Sequence, residues 1–158
     1  THIDLKKVSK KINKDLIIKK TTTIHKYLKM LLKRKPKIGL LGLNPHNAEL
    51  RKNSEESNII IPSIKILKRK GFNIKGPLVA DTVFINEYKN FDVIIGMYHD
   101  QVLAPFKALY KFDAINITLG LKYIRVSPDH GIAANIIGKN KADITSTIKC
   151  FNLIDKLK

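Results

Sequence analysis

Short continuous apolar runs alternate along the chain with longer stretches in which apolar residues recur every three or four positions. The first pattern is typical of buried strands and the second of amphipathic helices. Residues 37–43 and 91–97 are the two clearest apolar runs and predict buried strands. Residues 113–119 and 122–126, on either side of Gly120, predict two further short strands.

The helical periodicity predicts helices before, between and after these strands. Asp4 and Asp15 have the chemistry to begin the first two helices, and Gly71 to end the third. Pro62 and Pro105 fit early helical turns, where the missing N–H costs little. The predicted helices cover residues 5–12, 16–34, 54–70, 100–110, 131–138 and 142–157.

Strands that alternate with helices indicate an α/β fold whose sheet is largely parallel, at least in its centre. Gly76-Pro77 is predicted to form a turn, and residues 127–131 a loop rich in turn-forming residues. A chain of 158 residues without an internal repeat or a low-complexity linker is one domain or part of a larger one.

Two predicted strands end in residues that can carry chemistry. Asn44-Pro45-His46 follows the first strand, and His99-Asp100 follows the second. Ligands of open α/β sheets bind beyond the carboxyl ends of strands, so these histidines suggest a metal site at the rim of a sheet and favour an enzyme. The histidine spacings match no local zinc motif, so the fold, or two subunits together, would have to assemble such a site. His25, in contrast, lies among lysines within a predicted helix and is expected at the surface.

The formal net charge of +17 raises the alternative of a protein that binds polyanions. Only four of the 30 basic residues are Arg, the better reader of phosphates and bases, and the lysines are spread along the chain. We therefore regard nucleic acid as a less favoured partner. Neither a signal peptide nor a membrane-length apolar run is present. The single cysteine, Cys150, lies in a predicted helix beside apolar residues and is expected to be a packing residue. A cytoplasmic protein is expected.

Six motifs occur in an order that closely resembles the 4-hydroxythreonine-4-phosphate dehydrogenase family of vitamin B6 (pyridoxine and pyridoxal phosphate) biosynthesis. The resemblance covers nearly the whole chain, including Thr1-His2-Ile3, and corresponds to the C-terminal half of such enzymes; the chain also begins without Met. The motifs are Gly42-Leu43-Asn44-Pro45-His46, Gly76-Pro77 with Ala80-Asp81-Thr82, Met97-Tyr98-His99-Asp100-Gln101, Asn116 to Leu121, Ile124-Arg125 and Asp129-His130-Gly131.

The resemblance implies a three-layer α/β/α fold of the isocitrate and isopropylmalate dehydrogenase type, with a mostly parallel central sheet and the N-terminal half absent. Residues 1–158 would form the C-terminal portion, which carries the metal-binding, substrate-binding and part of the cofactor-binding regions. The last helix, about 142–157, is expected to pack on the missing first domain.

The resemblance also implies a set of site residues. The divalent metal (zinc, cobalt or magnesium) would be held by His2, His46 and His99. The enzymes work as homodimers in which one of the three ligands comes from the partner subunit. The substrate would contact Lys107, Asn116 and Arg125, of which the two cations suit a phosphate or a carboxylate.

The implied reaction is oxidation of 4-phosphohydroxy-L-threonine by NAD or NADP to a 3-keto acid, which loses carbon dioxide to give 3-amino-1-hydroxyacetone 1-phosphate. Asp81 and Asp100 are candidate catalytic groups, for proton transfer or for orienting a ligand, although Asp81 could equally cap a helix. A His-Gly-x-Ala turn supports the cofactor in related decarboxylating dehydrogenases, and here it falls on His130, Gly131 and Ala133.

Five residues, at four places in the chain, depart from the family pattern. Asn47-Ala48-Glu49 stands where the family has Ala-Gly-Glu, and Val102 replaces a glycine after Asp-Gln, so that backbone freedom beside the histidines is lost. Lys122 and Ile132 replace a proline and a threonine. Two alternatives therefore stay open, namely a paralogue that oxidises a phosphorylated four-carbon sugar acid, and an inactive basic remnant that binds polyanions.

Overall fold

The computed structural model describes residues 2–129 and 134–157, and the Asn135 side chain is not included. The chain forms two compact units, residues 1–105 and 106–158. The boundary falls within helix α5, His99–Tyr110.

The first unit alternates helices and strands, as predicted. Its helices are α1 (Val8–Lys11), α2 (Lys14–Leu32), α3 (Ile61–Arg69), α4 (Ala80–Val83) and the start of α5. Its strands are β1 (Lys37–Leu41), β2 (Asn73–Leu78) and β3 (Val93–Ile95). Short 3-10 helices cover Leu5–Lys7, Pro45–Leu50 and Glu87–Asn90, and a π-helical turn, Glu56–Ile60, leads into α3.

The three strands form a parallel sheet in the order β2-β1-β3. β1 is therefore central, and its side chains alternate between two buried layers. Ile38 and Leu40 pack in one cluster with residues of α1, α2 and α3. Leu41 packs on the opposite face with Val83 of α4 and Val102 of α5. Helices on both faces of a parallel sheet confirm the predicted α/β class and its three layers.

The structure corrects several local predictions in this unit. Asn13 caps α2, because its Oδ1 accepts the Leu16 N–H at 2.8 Å, and Asp15 lies in the first turn instead. Gly76-Pro77 belongs to β2 and is not a turn. His25 is half-buried and not fully at the surface, since its ring packs against Phe72 with the ring centroids 4.0 Å apart. Its buried Nδ1 has no hydrogen-bond partner among the residues that the structure describes. Burial and two nearby lysines lower the pKa of His25.

The second unit contains an antiparallel pair, β4 (Ile115–Thr118) and β5 (Arg125–Pro128), and helix α6 (Thr145–Lys156). A 3-10 helix covers Ala134–Ile136. β5 begins later than predicted and takes in two residues of the predicted loop. Ser146 of α6 ties the unit together, because its Oγ donates to the Ala114 carbonyl and accepts the Asp129 N–H at 3.0 Å.

Cys150 is buried on α6, as predicted. α5 contains Pro105 in its interior and not in an early turn. Within the described residues, none of the helices has the length and apolar character needed to cross a membrane.

Candidate functional site

The segment that follows β1 is anchored by a buried carboxylate. Glu56 is fully buried, and its Oε1 accepts the N–H groups of Leu43 and Asn44, each at 2.8 Å. The Asn44 side-chain amide donates to Glu56 Oε2 at 3.1 Å and to Glu55 Oε2 at 2.9 Å. Glu56 thus fixes the backbone two residues before His46.

Burial alone would raise the pKa of Glu56. The hydrogen bonds donated by Asn44 and Leu43 outweigh this effect and hold the pKa below its ordinary value. The carboxylate is therefore charged at neutral pH, and the amide donors around it supply the compensation that a buried charge needs.

His46 itself lies in an unusual backbone conformation. Five consecutive non-glycine residues, His46 to Leu50, have φ between 48° and 56°, in the left-handed region that favours glycine. Ala48 has a φ of 50° and stands where the family has glycine. The loss of glycine therefore falls at a residue whose backbone conformation favours glycine. Strain of this kind persists only where the surroundings over-determine the conformation, and it clusters at functional sites.

His99 is the first residue of α5 and follows β3, as predicted. Its Nδ1 lies 2.7 Å from Asp100 Oδ1. Its ring centroid lies 5.0 Å from that of His2. A carboxylate partner on one ring nitrogen is typical of metal-ligating histidines, because it orients the ring and leaves the other nitrogen for the ion. The donor chemistry of this pair fits a divalent transition metal.

Of the three histidines implied by the resemblance, the structure brings two into contact. Across residues 2–129 and 134–157, no three His, Cys, Asp or Glu side chains form a group that could hold a metal ion. His46 is exposed and follows the neighbouring strand β1.

Asp81 and Asp100 have different surroundings. Asp100 is exposed and contacts His99, which favours the orienting role over proton transfer. Asp81 is an exposed residue in the first turn of α4, whose N-cap is Val79. The capping alternative for Asp81 was therefore wrong, and no described contact links this side chain to the histidines.

The three substrate-binding candidates all lie in the second unit. Asn116 and Arg125 share one face of the β4-β5 pair, because Thr118 lies opposite Arg125 and Asn116 lies two residues before Thr118. The Arg125 guanidinium donates to Thr118 Oγ1 at 2.9 Å. An exposed guanidinium beside a side-chain amide can bind a phosphate or a carboxylate.

Lys107 has a partner that its sequence position did not predict. Its Nζ donates to the Asp129 carbonyl oxygen at 2.6 Å and pairs with Asp129 Oδ2 at 2.7 Å. The ion pair is half-buried. An anionic ligand of Lys107 would therefore have to compete with Asp129. The cofactor-binding candidates His130, Gly131 and Ala133 follow directly but lie outside the described residues.

A cleft of about 270 Å³ lies beside the strained segment and is lined by polar groups. Arg51 and Lys52 contribute positive charge to its wall, and Glu55 contributes one carboxylate. The Arg51 Nε also donates to the Ala48 carbonyl at 3.3 Å. The lining suits a small polar ligand better than an apolar one.

Sequence reasoning missed the role of Glu56 and assigned none to Gln101. A carboxylate in a Ser-Glu-Glu-Ser stretch resembles a solvated helix start, and its burial depends on a strand end 12 residues earlier.

The loss of glycine at Val102 has no conformational cost, because Val102 lies in α5 and packs in a buried cluster. This part of the earlier concern was therefore wrong.

Comparison with known proteins gives consistent matches. The profile of the family described as "Pyridoxal phosphate biosynthetic protein PdxA" matches residues 1–154. A 4-hydroxythreonine-4-phosphate dehydrogenase from Sulfurihydrogenibium sp. (strain YO3AOP1) is 49% identical over 160 residues, which cover 100% of this chain and 49% of the relative. A protein of Oceanobacillus iheyensis, named provisionally as a D-threonate 4-phosphate dehydrogenase, is 39% identical over 155 residues, 96% of this chain and 47% of the relative.

Among solved structures, a 4-hydroxythreonine-4-phosphate dehydrogenase from Burkholderia phymatum matches with a TM-score of 0.81 and 35% identity. The match covers 99% of this chain and 48% of that chain. The chain thus spans about half the length of the relatives it matches.

Proposed function

This chain belongs to the pyridoxal phosphate biosynthetic protein PdxA family, and we propose that it is the C-terminal half of a 4-hydroxythreonine-4-phosphate dehydrogenase. The observation that carries the proposal is the combination of 49% identity to a relative of that name with the His99-His2 contact at the end of β3. The substrate would be 4-phosphohydroxy-L-threonine, oxidised with NAD or NADP in the cytoplasm.

The metal would be held by His2, His46 and His99, with the ligand set completed in a homodimer by a histidine of the partner subunit. The contact between His2 and His99 and the carboxylate on His99 support this assignment. A divalent cation, when bound there, would lower the pKa of the substrate hydroxyl and favour its oxidation.

The chain's own residues would bind and orient the substrate. Arg125 and Asn116, on one face of β4-β5, present donors for the phosphate or the carboxylate, and Lys107 adds a cation once it leaves Asp129. Asp100 holds the His99 ring in place. NAD or NADP, when bound, would supply the hydride acceptor for the carbon that bears the hydroxyl. The 3-keto acid then loses carbon dioxide and leaves 3-amino-1-hydroxyacetone 1-phosphate.

A second candidate is a dehydrogenase of a phosphorylated four-carbon sugar acid. The O. iheyensis relative, with 39% identity, favours it. Both substrates carry a phosphate, a carboxylate and a secondary hydroxyl, so the same cationic residues would serve both. They differ in the amino group, which the sugar acid lacks.

The last helix supports the idea that a further domain packs here. Ile144, at the N-cap of α6, and Ile148 and Phe151 on the helix are 62%, 49% and 63% exposed and recur at helical spacing. A stripe of this kind is expected to be covered by another surface. We propose that the N-terminal half present in the relatives covers it.

The test is a chimaera that joins the N-terminal half of the Sulfurihydrogenibium relative to this chain. We expect NAD(P)H production from 4-phosphohydroxy-L-threonine, and a smaller rate from D-threonate 4-phosphate. The reverse preference would establish the second candidate. A folded chimaera that oxidises neither substrate, assayed beside the active relative, would refute both.

A further inference from the structure

The backbone pairing between β1 and β3 stops before the two strand ends reach the histidines. The register runs from Ile38↔Val93 to Leu40↔Ile95. Beyond it the Gly42 N–H donates to Leu78 of β2 at 3.0 Å, on the other side of β1. Side-chain contacts, and not backbone pairing, therefore set the position of the end of β1 relative to the end of β3.

The Gln101 side chain lies in this gap. Its Oε1 accepts the Met97 N–H at 2.7 Å, and its Nε2 donates to the Gly42 carbonyl at 2.6 Å. Both partners are backbone groups two residues beyond the last register pair. A carboxamide has one acceptor and one donor arranged as in a peptide group, so Gln101 continues the ladder with a side chain.

The surroundings make this bridge tight. Gln101 is only 8% exposed, and its hydrogen bond to the Gly42 carbonyl is buried. A Cβ added at Gly96 would lie 2.6 Å from Val102 Cγ1 and 3.3 Å from Gln101 Oε1. The glycine at the end of β3 thus lets the first turn of α5 approach closely enough for the amide to reach both strands.

We propose that Gln101 is a positioning residue that fixes the strand end leading to His99 against the strand end leading to His46. Its importance for metal binding rests on the proposed function, in which both histidines are ligands. Residues that orient ligands typically change metal affinity by about 10- to 100-fold when they are replaced.

Two substitutions separate the two hydrogen bonds. Gln101→Met removes both and keeps the length of the side chain. Gln101→Glu keeps the acceptor for Met97 but, when ionised, has no proton for the Gly42 carbonyl. Ser63→Ala is the matched control, because it removes one buried hydrogen bond, from Ser63 Oγ to the Ile59 carbonyl at 2.7 Å, in the same unit.

The readout is the imidazole signals of His46 and His99 in NMR spectra of the metal-free protein. We expect both Gln101 variants to shift or broaden both signals, and Ser63→Ala to leave them unchanged. If the His46 signal stays unchanged, or if Gln101→Glu matches the wild type, then Gln101 shapes only its own turn and the proposal is wrong.

A measurement on the unaltered protein guards against a variant that fails to fold. The Gln101 side-chain amide proton should exchange with solvent far more slowly than that of an exposed glutamine or asparagine. Exchange at the rate of an exposed amide would overturn the proposal.

Zinc titration tests the functional premise separately. We expect both Gln101 variants to bind zinc about 10- to 100-fold more weakly than the wild type, and His99→Ala to lose binding. If His99→Ala binds zinc like the wild type, the metal site fails, while the NMR result still decides the positioning role.

Discussion

Replacing the buried Glu56 by Gln tests how the His46 segment is held. The change keeps the shape of the side chain and removes the charge of the carboxylate, whose Oε1 accepts hydrogen bonds from two backbone N–H groups at 2.8 Å. Hydrogen bonds to a charged group contribute about 1.5–3 kcal/mol and neutral ones about 0.5–1.5 kcal/mol. The loss should therefore be about 1 kcal/mol per backbone bond, or about 2 kcal/mol in the free energy of unfolding.

Urea unfolding at pH 7 measures this loss, and its pH dependence gives a second check. Because the folded-state pKa of Glu56 is lowered, its contribution is complete above the ordinary value and is lost as the pH falls through the folded pKa. The gap between wild type and Glu56→Gln should therefore shrink on acidification.

Glu55→Gln is the matched control, since Glu55 accepts one bond from the Asn44 side chain and a glutamine oxygen can still accept it. We expect this variant to lose clearly less stability. Equal losses for both variants at pH 7, or a gap that stays constant down to low pH, would refute the reasoning.

Three further predictions concern other parts of the chain. Glu49→Gly should raise the free energy of unfolding by about 0.5–1 kcal/mol, because Glu49 is exposed at φ 49° and glycine relieves the left-handed strain. Urea unfolding measures this change, and a loss of stability would contradict the prediction. Asp92→Asn should lower the free energy of unfolding at pH 7 by about 1 kcal/mol or less, since the hydrogen bonds from Arg34 lower the pKa of Asp92 to about 2. The difference in stability between wild type and variant should still be present just below pH 3.8 and vanish near pH 2. A difference that is already lost at pH 4 would refute the prediction. Asp129→Asn should remove the charge that pairs with Lys107, while the Asp129 carbonyl still accepts a hydrogen bond from Lys107 Nζ at 2.6 Å. Phosphate binding measured by calorimetry should strengthen severalfold, and unchanged binding would contradict a competition between the Asp129 carboxylate and the anion.

The first unit could be predicted from the sequence because its signals are local. The alternation of Ile38 and Leu40 with Leu41 marks a strand buried on both faces, and Gly71, at φ 81°, ends a helix where predicted. Gly76-Pro77 misled the reasoning, since the dipeptide is a common turn signal and here lies within β2.

The contacts of the candidate site were less predictable because they join distant parts of the chain. The motifs located His46 and His99, but the burial of Glu56 and the bridge from Gln101 to Gly42 depend on tertiary structure. His25 shows the same limit. Its lysine neighbours suggested a surface position, but a contact with the ring of Phe72 leaves it only partly exposed.

The most direct test of the account is a cobalt(II) absorption titration of the protein, with the molar mass measured in the same samples. The account predicts ligand-field bands that appear in the dimer and disappear in His2→Ala, in His46→Ala and in His99→Ala. His25→Phe should keep the bands, because His25 lies on α2 and its ring packs against Phe72. Bands that persist unchanged in all three alanine variants would contradict the metal site and with it the proposed chemistry.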